Sequence, residues 1–382
     1  MRATSGLTPA AKAFWIAGAA SEDSRNELVL AVVPSDLDVE QVTSDVRFFL
    51  GGLEGASADA LEHSVVPFPS QEVDPYRGLA PHLRIASARA RALHAMASGE
   101  ARVVVASAVA LLPRVSPPDA IMALSLDMAP GDDIDTRQIA GTLVDAGFTH
   151  QDPVDEHGEF CIRGGVVDIF PAGDDLPARI ELVGDTIETI RRYAPDTQRS
   201  VATIERLKVV PLREIVGSGA GTPVGGERRT QDAGRDTDAP ESDARVPFFD
   251  YLGIRRRAVL VVSEPDEVRE RIEKQLAQIA ESYESARAAA SGRRRTPSQM
   301  AAGSSASQME AGSSASRMEA GSSDPAVSGD TLRSRGALAP RDDSPSVPDP
   351  AEILISWPDI ERQLGTAFAL EELGMDDVGD AA

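Results

Sequence analysis

A single cysteine, Cys161, stands in 382 residues, which excludes an internal disulfide and any cysteine-rich zinc centre. Lysine is nearly as scarce, at Lys12, Lys208 and Lys274, so positive charge is carried by arginine. Aromatic residues make up only 4% against a hydrophobic content of 42%, enough for ordinary cores built from aliphatic side chains. No apolar run approaches the ~18 residues of a membrane span. The first twenty residues are too weakly apolar for a secretory leader, so a cytoplasmic protein is expected. Positive charge is also in overall deficit: 38 basic against 61 acidic side chains give a net charge of −23. A polyanion repels nucleic acid, so tight, sequence-blind DNA binding by the whole chain is not expected.

A phosphate-binding loop is missing as well. Such a loop needs glycines for close backbone approach and a Lys-Ser/Thr pair for phosphate and Mg²⁺. The stretch in the expected place, residues 16–29, has one glycine and no lysine, and carries Glu22 and Asp23, which repel phosphate. None of the three lysines follows a glycine or precedes Ser or Thr. The strand-like run 257–263 ends in Ser263-Glu264-Pro265, a poor metal-supporting end for a Walker-B strand. ATP hydrolysis is therefore not expected, and no nucleotide, metal or other cofactor is implied.

Residues 1–125 read as an α/β lobe. Leu28–Val33 is a short continuous apolar run, as in a strand buried on both faces. Residues 38–50 follow with helical spacing, stopped by Gly51-Gly52. Strands at 64–68 and 103–105 alternate with helices at 83–97 and 108–112, which implies a small parallel sheet covered by helices. Asp135–Ala146 is a further helix with an N-cap at Asp135 and a stop at Gly147.

The most informative stretch is 158–200. Phe160–Phe170 reads as β, with Gly164-Gly165 marking a bulge or close backbone approach. Ala178–Val183 alternates, Ile180 and Leu182 to one face, Arg179 and Glu181 to the other. Gly184-Asp185 is a two-residue hairpin signal, and Thr186–Tyr193 returns. An antiparallel meander results, with one apolar and one arginine-bearing face. Val201–Val216 completes it, with a break at Pro211. Arg163 and Arg179 lie on one exposed face if the strands pair this way. Two readings of that face stand: planar guanidinium groups suit an acidic partner surface, or the face is simply solubilising, with local ion pairs to Glu181 or Glu159.

Residues 217–245 read as a linker without periodicity. Residues 246–290 return to order, with a strand at 257–263 and a long amphipathic helix after it. Residues 291–350 are disordered by composition and hold a nine-residue repeat (298–306, 307–315, 316–324), a spacer with nothing to stack. Residues 351–382 offer a strand at 353–357 and a helix at 358–374. Cys161 with His157 is not a nucleophile and base, since residues four apart in a strand are separated by roughly 13 Å. The acidic cluster from His150 through Asp152, Asp155, Glu156 and His157 to Glu159 lacks metal-ligand spacing and reads as a solvated loop.

GEFCIRGGVVDIFP (158–171), ARIELVGDTIETIR (178–191) and DTQRS (196–200), in that order, resemble the UvrB-type interaction domain of bacterial transcription-repair coupling factors. PFP at 67–69, DPYRGLAPH at 74–82 and RVVVASAVALLPRV at 102–115 resemble the nucleotide-fold lobe of the same factors. The resemblance implies a fold: a degenerate P-loop-like α/β lobe with a parallel sheet, like the first motor lobe of UvrB. Into it is inserted a small antiparallel α+β domain, residues 126–216, and disordered linkers follow. It implies UvrA as partner, with RNA polymerase and damaged DNA reached indirectly through other domains of such a factor. Positions matching Arg163 and Arg179 are UvrA contacts in the family. The third contact, an aromatic there, is Val183 here, which removes one potential anchor. The implied function is a non-catalytic module recruiting nucleotide excision repair to stalled polymerase. The alternatives are a UvrA-binding decoy competing with UvrB and, less favoured, an active UvrB-like helicase.

Overall fold

The computed structural model describes residues 2–21, 27–215, 245–254, 257–292 and 347–372. The expected linker at 217–245, apart from Arg245, lies outside the described residues, as do the nonamer repeats. The chain forms two compact units, Met1–Tyr283 with Pro348–Ala382, and Glu284–Val347. Besides Val347, the described part of the second is the end of a long helix, with a local Arg287–Glu284 ion pair at 3.6 Å.

The larger unit begins with strand β1 (Arg2–Thr4), helix α1 (Pro9–Ala19), β2 (Glu27–Val33), α2 (Asp36–Glu54) and α3 (Ala58–Ser64). Next come β3 (Val65–Phe68), α4 (Leu83–Ser98), β4 (Val103–Ser107) and α5 (Pro118–Ala123). The middle segment holds β5 (Leu126–Met128), α6 (Thr136–Asp145), β6 (Thr149–His150), β7 (Glu159–Arg163) and β8 (Val166–Ile169). It continues with β9 (Ala178–Val183), β10 (Thr186–Ala194), β11 (Arg199–Ile204) and β12 (Leu207–Val209). The chain returns with β13 (Arg257–Ser263), α7 (Pro265–Gly292), α8 (Pro350–Ile353), α9 (Trp357–Leu364) and β14 (Phe368–Leu370).

The first sheet has the order β1-β14-β13-β2-β4-β3, and every pair in it is parallel. Its strands read as unbroken apolar runs because both faces are covered. Val29, Ala31 and Val33 pack on Ala13 and Ile16 of α1 and Val39, Val46 and Leu50 of α2. Leu28, Leu30 and Val32 face Leu93 and Met96 of α4, Ile272 of α7 and Ile360 of α9. Ser35 caps α2 through a reciprocal box with Asp38, which satisfies backbone donors at the turn leaving β2.

Three expectations are corrected here. The pair Gly51-Gly52 does not stop α2, which runs to Glu54 and is capped by Gly55 at φ +67°. Gly51 instead makes room for Leu61, whose Cδ1 would lie 3.1 Å from an added Cβ. Residues 353–357 are not a strand: Pro350 starts a helical turn capped by the Asp349 side chain, and Trp357 opens α9. The final helix stops at Leu364, and Phe368–Leu370 forms β14, inserted between β1 and β13. Its backbone pairs with two strand edges at once while Ala369 and Leu370 are buried, which outweighs the helical pattern that precedes them.

The second sheet has the order β11-β10-β9-β8-β7-β6, antiparallel except for β6 with β7. Phe160, Val167, Ile169, Ile180, Ile187 and Ile190 share its core with Ile139 and Leu143 of α6. Asp135 caps that helix, accepting from Arg137 and Gln138 N–H. Antiparallel pairing of β5 with β12 brings the two ends of this segment together. The fold class read from the sequence, a parallel α/β lobe carrying an antiparallel α+β insertion, is what is found. The run 160–170 proves to be two strands, with Arg163 paired to Val166 across Gly164-Gly165. The close approach expected at the glycines is present: a Cβ on Gly165 would meet the Leu182 carbonyl oxygen at 3.0 Å. Gly184, at φ +66°, turns the β9–β10 hairpin as its sequence indicates.

Candidate partner-docking face

Strand alternation creates the face. Val167 and Ile169 point into the core, so Asp168 between them points the other way, opposite Arg179 on β9 and Cys161 on β7. Arg163 ends β7 at the glycine turn. The Asp168 carboxylate takes three N–H bonds. Its Oδ1 accepts from Arg179 Nε at 2.7 Å, and its Oδ2 from Arg179 Nη2 at 2.9 Å and Arg163 Nη2 at 3.0 Å. The two arginines therefore do share a face, joined through one buried acid.

They are not equivalent. Arg163 keeps 48% of its side chain exposed and reaches Asp152 through Nη1 at 2.9 Å. Arg179 is only 21% exposed. Its Nη2 also donates to Gln198 Oε1 at 2.9 Å, and its guanidinium lies 4.5 Å above the Tyr193 ring. The bond to Asp168 raises the pKa of Arg179, so its charge is fixed. Burial, reinforced by Asp168, pushes the Tyr193 hydroxyl well up; that hydroxyl donates to the Val154 carbonyl at 3.2 Å. Gln198 adopts φ +57° in the β10–β11 turn, so the 196–200 motif both turns the chain and holds Arg179. Val183 is 65% exposed.

The ion pairs anticipated for a merely solubilising face are different from those found. Glu181 pairs with Arg191 at 3.1 Å and accepts from Thr189, while Glu159 accepts from the Asp155 and Glu156 backbone. Asp168, Asp152, Tyr193 and Gln198 were not legible as site residues by residue type. A signal for Asp168 existed: an acid flanked by two inward valine and isoleucine side chains must share the Arg179 face.

Cys161 is buried, and burial raises its thiol pKa, so it is a poor nucleophile. His157 lies before β7, its Nε2 3.0 Å from the Asp174 carbonyl and its ring 4.0 Å from Phe170. In the parallel lobe, buried Lys12 donates to Ser263 Oγ at 3.1 Å and pairs with Glu264 and Glu372. No helix among the described residues is long and apolar enough to cross a membrane.

Residues 126–214 match the family model of the UvrB interaction domain. The chain is similar to the transcription-repair-coupling factor of Myxococcus xanthus, 33% identical over 193 residues, covering 50% of this chain and 16% of that protein. The factor of Bacillus subtilis is 28% identical over 216 residues, 55% of this chain and 17% of its own length. That of Escherichia coli is 30% identical over 154 residues, 40% and 13% respectively. The matched stretch thus spans less than a fifth of these curated relatives. Over about half its length the chain is related to transcription-repair coupling factors, with a UvrB interaction domain at its centre, as its motifs indicated.

Proposed function

We propose that residues 126–214 dock UvrA through the face carrying Arg163, Arg179 and Val183. In this reading the chain is the recruiting module of a transcription-repair coupling factor, bringing nucleotide excision repair to stalled RNA polymerase, and does no ATP chemistry itself. Contact with RNA polymerase and damaged DNA, and any translocation, belong to other parts of such a factor.

The observation that carries the reading is Arg163: half-exposed, yet held by a buried carboxylate on the polar face of a UvrB interaction domain. A fixed, exposed guanidinium suits bidentate binding of a carboxylate. Val183 sits at the end of β9, exposed and without an aromatic ring. It supplies less apolar area than an aromatic anchor, which predicts weaker docking than a face bearing an aromatic ring gives.

A photo-crosslinking residue placed at Val183 tests the assignment. With purified UvrA it is expected to give one crosslinked species, competed away by excess unlabelled chain. Crosslinking only from the opposite, α6-bearing side of the domain would refute the face.

A further inference from the structure

Within residues 126–209, Asp168 is the charged residue closed off from solvent among those described, at 1% side-chain exposure. A buried carboxylate needs several donors to be tolerated, and here its three N–H donors come from the two arginines of the proposed docking face. A guanidinium has five N–H donors. Arg179 commits Nε and Nη2 to Asp168 and Gln198, and stacks on Tyr193. Arg163 commits one bond to Asp168 and one to the exposed Asp152, which leaves most of its fork unspent.

We infer that Asp168 is a positioning residue for docking: it orients the Arg163 guanidinium toward a carboxylate-bearing partner, while Arg179 serves chiefly as its counter-ion. The inference rests on the docking reading above and divides the arginine pair into a contact, Arg163, and an anchor, Arg179. A side chain fixed before binding loses little further rotamer freedom on binding. Gln198, held at φ +57° with its amide also donating to the Pro195 carbonyl at 2.9 Å, closes the open side of Arg179.

The test is a double-mutant cycle on UvrA affinity, using Asp168→Asn, Arg163→Ala and the pair. Asp168→Asn keeps the side-chain volume and removes the charge. It is expected to weaken UvrA binding about tenfold in the wild-type background and less than twofold when Arg163 is already alanine, because it acts through Arg163. Equal losses in both backgrounds would mean a general structural effect and overturn the inference. If Asp168→Asn does not fold, Gln198→Ala on the exposed turn takes its place, with a loss of about threefold that likewise vanishes without Arg163. Nitrogen-15 relaxation of the arginine Nε–Hε groups separates this inference from the docking reading, since it needs no UvrA. Arg163 and Arg179 should be as rigid as the backbone in the wild-type protein and mobile in Asp168→Asn or Gln198→Ala. Arginines already mobile in the wild type would refute positioning even if UvrA binds; rigid arginines with no UvrA binding would refute docking alone.

Discussion

Asp168, buried on a polar strand face, holds two arginines of that face through three N–H bonds. Stripping Arg179 to alanine leaves Asp168 with Arg163 alone, a half-compensated buried charge. Arg179→Ala is expected to cost about 3 kcal/mol of stability, the lower end for breaking a buried ion pair, read from urea midpoints. Arg163→Ala removes a more exposed partner and should cost under about 1 kcal/mol in the same measurement. A second residue-scale prediction concerns His94, buried on α4. Burial first, and then the charge of Lys208, lowers its pKa below the ordinary 6.5. Glu100 and Asp127 act in the opposite direction. The unfolded chain therefore takes up a proton at His94 below about pH 6.5 that the folded chain refuses, so stability falls as pH drops through that range and levels off below the folded-state value. His94→Gln should flatten this part of the urea-midpoint profile between about pH 7 and 5; an unchanged slope would assign it to carboxylates. At this scale the sequence indicated that Arg163 and Arg179 share one strand face, since both follow from alternation about the glycine turns, and that Val183 departs from the aromatic of the motif it resembles. It was silent on Gln198 and Tyr193, because what they touch depends on strand register rather than on their neighbours in sequence.

Among the elements, the meander was the most legible, since glycine turns and strict alternation admit few pairings. Gly184 holds φ +66° with open space around its missing Cβ, so Gly184→Ala should cost about 1 kcal/mol from backbone strain alone. Gly165 carries a different constraint, the Leu182 carbonyl at 3.0 Å and a 2.8 Å bond from Leu182 N–H to its own oxygen. Gly165→Ala should cost more, about 2 kcal/mol, and shift the amide resonances of β9. Equal costs for the two variants would show that the contact yields freely. The elements misread were those decided from outside. The glycines in α2 look like a stop, but Gly51 lies against Leu61 of a helix ten residues on. Phe368–Leu370 continues a helical pattern in sequence, yet two strands of the parallel sheet claim it.

At the scale of the whole molecule, buried polar ties join the segment that matches the UvrB interaction domain to the lobe, beside the apolar packing of Leu83 on its core. Arg89 on α4 is fully buried, 3.9 Å over the Phe68 ring, bonded to the Pro69 and Ala110 carbonyls and paired with Glu214, which Gln71 also meets. Glu214 closes the segment that matches the interaction domain, so this pair ties its exit to the lobe. Arg91 adds a bond to the Gly173 carbonyl at 3.1 Å. Glu214→Ala is expected to cost about 3–5 kcal/mol. It should also separate the unfolding of lobe and domain: tryptophan fluorescence, from Trp15 and Trp357 in the lobe, would cease to coincide with far-ultraviolet circular dichroism. Coincident curves would mean that apolar contacts alone join the two. Docking of UvrA on the Arg163 face of this acidic chain is read by calorimetric titration of UvrA with the wild-type chain and with Arg163→Ala. Saturable binding by the wild type, weakened at least about tenfold in a variant that remains folded, is the predicted result. Equal affinity of the two chains, or no binding by folded wild-type protein, would contradict it.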